Sequence, residues 1–402
     1  KAMPAWALPL ALLICLARTA ESSSAWDNDP YTGHERRLGE TARHVDGRAG
    51  TPWSRLRWKS LTQRGDVIGQ PALATDGNIV YTSVNGYLQK VKDTDGSVMW
   101  SVWLGNLKSS PTIDKDGNIF VGSSDSRMYA MTSAGVLKWR YDTPNGIVGR
   151  VLVTTDGRIV FGGRDGYLYF LNAAGGLLYK HNMMGEVLAG ASELRDGAVA
   201  CGSLGRSLVV INKNHTLRWS FDAQEEIAAK PLITDTAIVF TTRSGSNYGG
   251  AVISLTMEGQ VKWIFNTTKS TLPTWKWSSS ESPVFAVQDL DTDAVQGPQG
   301  QIFIGGADGK FYAIQEDGQL LWRYVTGYAN SAPVICRNSI VFNSMNKYVY
   351  GISLDGAFLW KYLLDRGSRS QPLCAAVDNT DKSVKVWVGS RAQYLYALEH
   401  NF

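Results

Sequence analysis

Cysteine is scarce in this chain: four residues in 402, at positions 15, 201, 336 and 374. Cys15 falls in an N-terminal apolar segment, and the three others are too few and too odd in number for a disulfide framework. Histidine is almost as rare, with five scattered residues that never take metal-ligand spacing. Charge of one sign is missing too. The formal net charge is +4, and no basic run interleaves with aromatics, which argues against a nucleic-acid partner. No apolar run reaches the ~20 residues of a membrane-spanning helix. No Ser-His-Asp set, phosphate-cradling glycine loop or zinc motif stands out.

Glycine and large aromatics are plentiful, with 41 Gly, 14 Trp and 17 Tyr. They recur with a period near 40. A short strand, usually opened by proline, begins at Pro71, Pro111, Val151, Ala191, Pro231, Pro283, Pro333 and Pro372. A second apolar run follows each time, from NIVYTS at 78–83 to KVWVGS at 385–390, and a third reads RMYAM, YLYFL or KFYAI. A fourth carries Trp100, Trp139, Tyr179, Trp219, Trp263, Trp322 or Trp360. Turn dipeptides such as Asp116-Gly117 separate the runs, as antiparallel hairpins require. Each unit is thus a four-stranded meander, and eight of them are present except for one fourth strand. Leu56–Leu61 matches that missing strand at the other end of the chain. The pattern predicts an all-β, eight-bladed β-propeller closed by an N-terminal strand, because closure removes the last open edge.

The propeller is assigned to residues 51–402. Residues 26–50 are polar and aperiodic and read as a linker. Residues 1–25 read as a secretory-type leader around the apolar stretch 5–17, with an uncleaved anchor as the alternative. The leader makes the two sequons, at Asn214 and Asn266, candidate N-glycosylation sites. It implies a secretory-pathway or other extracytoplasmic location, with no transmembrane span in the mature chain. Cys336 and Cys374 occupy similar places on consecutive inner strands. Neighbouring inner strands are expected to diverge, so both are read as buried free thiols.

Departures from a regular repeat are where function concentrates. The second-to-third turn of blade five swells to 243–250 and carries Tyr248, and the connector into blade six, 266–280, carries Trp275, Lys276 and Trp277. Both should rise on one rim, where exposed aromatics beside a cation suit a protein or sugar partner. The alternative is that the tryptophans pack on the ring. The first hairpin of blade six is read as stretched by 289–300. In it, Asp289, Asp291 and Asp293 alternate like calcium ligands. No glycine or later carboxylate completes that set, so a solvated acidic hairpin is the preferred reading.

The blade formula, as in Ala130…Gly135…Trp139 and Ala313…Gly318…Trp322, resembles the PQQ-like repeat of the quinoprotein alcohol dehydrogenase-like propellers. The resemblance implies that each Trp docks on the neighbouring blade. Tyr179 and the Lys213-Asn214 turn, which lacks the glycine, depart from it. For catalytic relatives it implies a quinone (PQQ) and calcium over the axis, with an adjacent cysteine pair that is absent here. The chain is more similar to the non-catalytic members. The preferred reading is therefore a protein–protein interaction scaffold without a cofactor. The alternatives are a quinone- and calcium-dependent dehydrogenase and a carbohydrate-binding or adhesive module.

Overall fold

In each repeat the second and third strands are apolar almost continuously, because they lie between two blades and are buried on both faces. Ile79–Thr82, Ile159–Gly162 and Ile302–Gly305 are buried at every position. The outer strands, such as Leu137–Asp142, alternate between half-buried and exposed. The computed structural model describes residues 53–62, 65–243, 250–267, 292–328, 330–368, 370–376 and 383–401. Among these the strands form eight four-stranded antiparallel sheets, and no helix is present.

Seven blades are consecutive meanders. The eighth combines Leu373–Ala376, Ser383–Gly389 and Tyr394–Asn401 with the first strand, Trp53–Leu61, which pairs from Trp53↔Asn401 to Leu61↔Tyr394. The core is a series of apolar layers between adjacent blades. In the layer that closes the ring, Trp58, Trp387 and Leu395 of blade eight meet Ile79, Tyr81 and Val91 of blade one.

The outer-strand aromatics lock these layers. Gly135 has φ +79°, and a Cβ built there would lie 2.8 Å from the Trp100 ring. Trp100 Nε1 donates to the Ser133 carbonyl in the same turn, at 3.2 Å. The same docking recurs for Trp139 on Gly175, Trp219 on Gly259, Trp263 on Gly318 and Trp322 on Gly356. At the third junction the tyrosine and the missing glycine compensate each other. His215 takes the left-handed position, φ +67°, and stacks on Tyr179 with ring centroids 5.4 Å apart. At the last junction Trp360 stacks on His400, 5.1 Å away.

Two expectations are corrected. The inner strand of blade six is Val295–Gln296, opened by Ala294, and not a strand at Pro283, which lies outside the described residues. Its pairing, Val295↔Phe303 and Gln296↔Ile302, repeats that of Leu152↔Val160 and Val153↔Ile159. The first hairpin of blade six is therefore of ordinary length, and the acidic stretch belongs to the connector before it. Proline is the wrong marker, because the inner strand needs an extended residue at that place and alanine serves. Second, Cys336 and Cys374 form a disulfide, with Cα atoms 6.0 Å apart. Inner strands converge toward the axis, and this separation suits a bridge. Cys201 is left as a buried thiol, and burial pushes it up to about 12.

Glycine substitutions distinguish backbone strain from ring docking. Gly77 has φ +80° with no atom within 4 Å of a methyl placed on it, whereas Gly135 meets Trp100. Gly77→Ala should cost about 1–2 kcal/mol through backbone strain alone, and Gly135→Ala about 3 kcal/mol or more once the docked ring must move. Urea unfolding of both variants measures the difference.

Ring closure is testable through one carboxylate. Asp93 of blade one accepts Arg57 Nη1 at 2.8 Å and Lys385 Nζ at 2.7 Å, both from blade eight. Its carbonyl accepts Trp58 Nε1 at 2.7 Å. Burial alone would raise the carboxyl, but the Arg57 and Lys385 hydrogen bonds outweigh it and hold it below its ordinary 3.8. A depressed carboxylate stabilises fully above its unfolded pKa, and that stability is lost as pH falls through the folded value. Asp93→Asn should cost about 2 kcal/mol at neutral pH, and the difference from wild type should shrink in acid. A variant gap that stays constant from neutral pH to pH ~3 would remove this bond from the closure.

Candidate functional site at the axial mouth

The residue before each inner strand sits at the axis on the face that carries the blade-to-blade connectors. In most blades it is small or uncharged: Gln70, Ser110, Gly190, Ala332 and Gln371. Blades three, five and six place Arg150, Lys230 and Asp293 there instead. A cavity of about 410 Å³ opens among Gln70, Lys108, Ser110, Arg150, Asp293 and Gln371. A second, of about 530 Å³, lies against Val295, Gln296, Pro333 and Ile335 and shares Gln371 with the first.

The mouth is cross-linked by hydrogen bonds. Gln70 Nε2 donates to the Pro372 carbonyl, and Gln371 Nε2 to the Pro333 carbonyl, each at 2.9 Å. Ser110 Oγ accepts the Gln70 amide at 2.8 Å, and Arg150 Nη1 donates to Gln70 Oε1. Asp293 Oδ1 accepts the Lys230 amide at 2.8 Å. Burial holds both Arg150 and Lys230 below their ordinary values, and the Asp293 charge opposes that fall. Two cations thus share one carboxylate in a partly desolvated mouth, an arrangement that suits an anionic or strongly polar group.

The same mouth is a poor seat for calcium. Calcium takes six to eight oxygen ligands, and among the described residues no group of three or more His, Cys, Asp or Glu could hold a metal. Asp293 already accepts a backbone amide, with Arg150 and Lys230 beside it. Asp289 and Asp291 lie outside the described residues. The described axis does not fit a calcium-held quinone, and no reaction step is derived through one.

Tyr248, Trp275, Lys276 and Trp277 also lie outside the described residues. The roots of their two segments are described, and they touch: Thr267 donates to the Gly250 carbonyl through its amide at 3.1 Å and its hydroxyl at 2.7 Å. Elsewhere on this face, tyrosines brace the second-to-third turns. Tyr129 donates to Asp125 at 2.6 Å and Tyr350 accepts Asn346 Nδ2 at 2.7 Å, with Tyr169–Asp165 and Tyr312–Asp308 alike. Blades one, four and five carry Gln89, Val209 and Ile253 in that place and lack the brace, and Tyr396 of blade eight donates to Asp365 of the preceding connector instead. Of the two sequons, Asn214 is exposed in a turn, and its Oδ1 accepts the Thr216 hydroxyl at 2.7 Å. Asn266 ends an outer strand, half-buried, with its Oδ1 enclosed.

Sequence reasoning misses the axial cluster when Pro283 is taken as the blade-six marker, which moves Asp293 off the axis. Aligning the repeats on the second strand exposes it.

A lysine with a depressed folded pKa binds its proton more weakly when folded. The unfolded chain then holds more protons between the folded value and 10.5, and stability rises with pH across that window. Lys230→Met should reduce this alkaline rise, leaving the part due to Lys310, which burial also depresses, and Asp293→Asn should enlarge it, read as urea midpoints against pH. Identical profiles in all three proteins would show that the cluster is solvated.

A protein-family profile described as outer membrane protein assembly factor BamB matches residues 39–182, 164–295 and 275–400. No curated protein matches the chain. Among solved structures it is similar to BamB from Moraxella catarrhalis, at 13% identity and TM-score 0.66, covering 87% of this chain and 98% of that one. It is also similar to Saccharomyces cerevisiae Sqt1, at 9% and 0.69, covering 86% and 97%. A third is the quinohemoprotein alcohol dehydrogenase ADHIIG from Pseudomonas putida, at 13% and 0.65, covering 87% and 76%. At these identities the structural likenesses speak for the fold alone. The profile spans the blades from end to end, and the chain belongs to the BamB family of PQQ-like repeat β-propellers.

Proposed function

We propose that the chain is a protein-interaction scaffold of an extracytoplasmic compartment, and that its partner docks on the connector face near blades five and six. The observation that carries this is the lengthening of two segments at one root. Thr267–Gly250 is the contact that every blade makes between its outer-strand end and its second-to-third turn, and in blade five it sets the swollen turn and the long connector side by side. Two departures rising from one hydrogen-bonded root make a shared surface, and Tyr248, Trp275, Lys276 and Trp277 supply its aromatic and cationic chemistry. Compartment is supported by the Cys336–Cys374 disulfide, since such bonds persist where the environment oxidises. In a eukaryotic host the exposed Asn214 would be the better glycan acceptor of the two sequons.

The dehydrogenase reading draws on fold likeness to ADHIIG and is disfavoured by the axial donor set. The test is the double substitution Trp275→Ala with Trp277→Ala, assayed by capture of partners from the native compartment and by thermal unfolding. Partner binding should weaken by about 2 kcal/mol or more, with the melting temperature unchanged. Early melting of the double variant would make the tryptophans part of the ring. Substrate-dependent dye reduction after incubation with quinone and calcium would revive the enzyme.

A further inference from the structure

Each outer strand ends on the connector face at a residue paired with the start of the third strand. In blades two, three and four that residue is Asp142, Asn182 or Asp222, opposite Arg127, Tyr167 and Ser207. In blades seven, eight and one it is Leu363, Leu61 or Trp103, opposite Tyr348, Tyr394 and Tyr87. These three apolar side chains are 58%, 54% and 65% exposed. Position for position, one sector of the rim replaces polar residues with exposed apolar ones over a tyrosine.

Charge divides the same way. The turns and connectors of the apolar sector carry Lys108, Lys347, Arg366 and Arg391 against Asp66 and Asp365. The turns, connectors and paired strand ends of the opposite sector carry Asp125, Asp142, Asp165, Glu186, Asp222, Glu225 and Glu226 against Arg127, Arg150, Arg164, Arg206 and Lys230. Exposed Met184 lies in that acidic sector, and its connector bears Glu186.

We propose that the sector formed by blades seven, eight and one rests on an anionic lipid surface. Tryptophan and leucine suit the headgroup boundary, and basic residues near it are each worth about five-fold in partition. The three apolar anchors belong to three different blades, so no single groove collects them, whereas a flat surface meets them together.

The test is co-sedimentation of the full chain with vesicles of phosphatidylcholine alone or mixed with phosphatidylserine. Two variants are compared with wild type, all sharing one N-terminus so that its contribution cancels. Trp103→Asp with Leu363→Asn installs residue types that blades two and three already carry there. It should lose about ten-fold or more in partition to the mixed vesicles. Lys108→Gln with Lys347→Gln should lose about five-fold per cation removed. Equal partition of wild type and the apolar variant overturns the proposal, as does equal wild-type binding to both vesicle types. Absence of vesicle binding, with self-association lost in the apolar variant, would reassign the sector to a second copy of the chain. Should the apolar variant melt early, the lysine variant decides alone: undiminished binding overturns the proposal.

Discussion

The ring depends on one contact repeated at seven of its eight junctions: a flat aromatic from an outer strand lying on a left-handed turn of the next blade. At the remaining junction Trp360 stacks on His400, which lies within a strand. Blades touch elsewhere through apolar layers, which are strong but non-directional and tolerate sliding. The aromatic adds direction. Its face needs a turn without a Cβ, and its ring N–H needs a carbonyl of that turn, so the contact is satisfied at one relative placement of two blades. Trp58 does this across the closure, where Asp93 supplies both the carbonyl and the carboxylate that gathers Arg57 and Lys385. The third junction shows that the requirement is a flat ring on a left-handed turn, not tryptophan on glycine as such. There Tyr179 and His215 depart from the pattern together and keep the stacking.

Most of this is legible in the sequence, because a repeat states its geometry many times over. The blade count, the four strands and the N-terminal closing strand all follow from period and pattern. The failures share a cause. At Pro283 a residue type stands in for a structural position, and a proline inside a long connector outcompetes Ala294, which opens the true strand. At Cys336 and Cys374 a correct strand assignment is joined to a wrong idea of how inner strands diverge. Pair distances near an axis are set by ring radius, which a one-dimensional pattern does not carry. The axial charges are hidden by the first error, since Asp293 meets Lys230 only when blade six is in register.

Function is less legible because the repeat is silent about it. Residues that recur in every blade build the ring, and information about a partner lies in residues that break the recurrence. Arg150, Lys230 and Asp293 break it at the axis, the segments 243–250 and 266–280 break it by their length although the contact at their root recurs in every blade, and Trp103, Leu61 and Leu363 break it along one arc of the rim. The three lie on one face and divide it among a polar centre, a sector with two enlarged segments and an apolar, basic sector.

The split eighth blade also sets a schedule. Trp53 leaves the ribosome 348 residues ahead of its partner Asn401. At ordinary elongation rates of about 5–20 residues per second, the interval is roughly 20–70 s. Through that time the first strand has no sheet to join, and the apolar face of blade one that will meet Trp387 and Leu395 stays open. Blades one to seven can stack progressively, each on the one before, while the seam waits for Tyr394–Asn401. The nascent chain therefore carries an unpaired edge while seven blades are made, and the edge that closure removes is exposed longest at that seam.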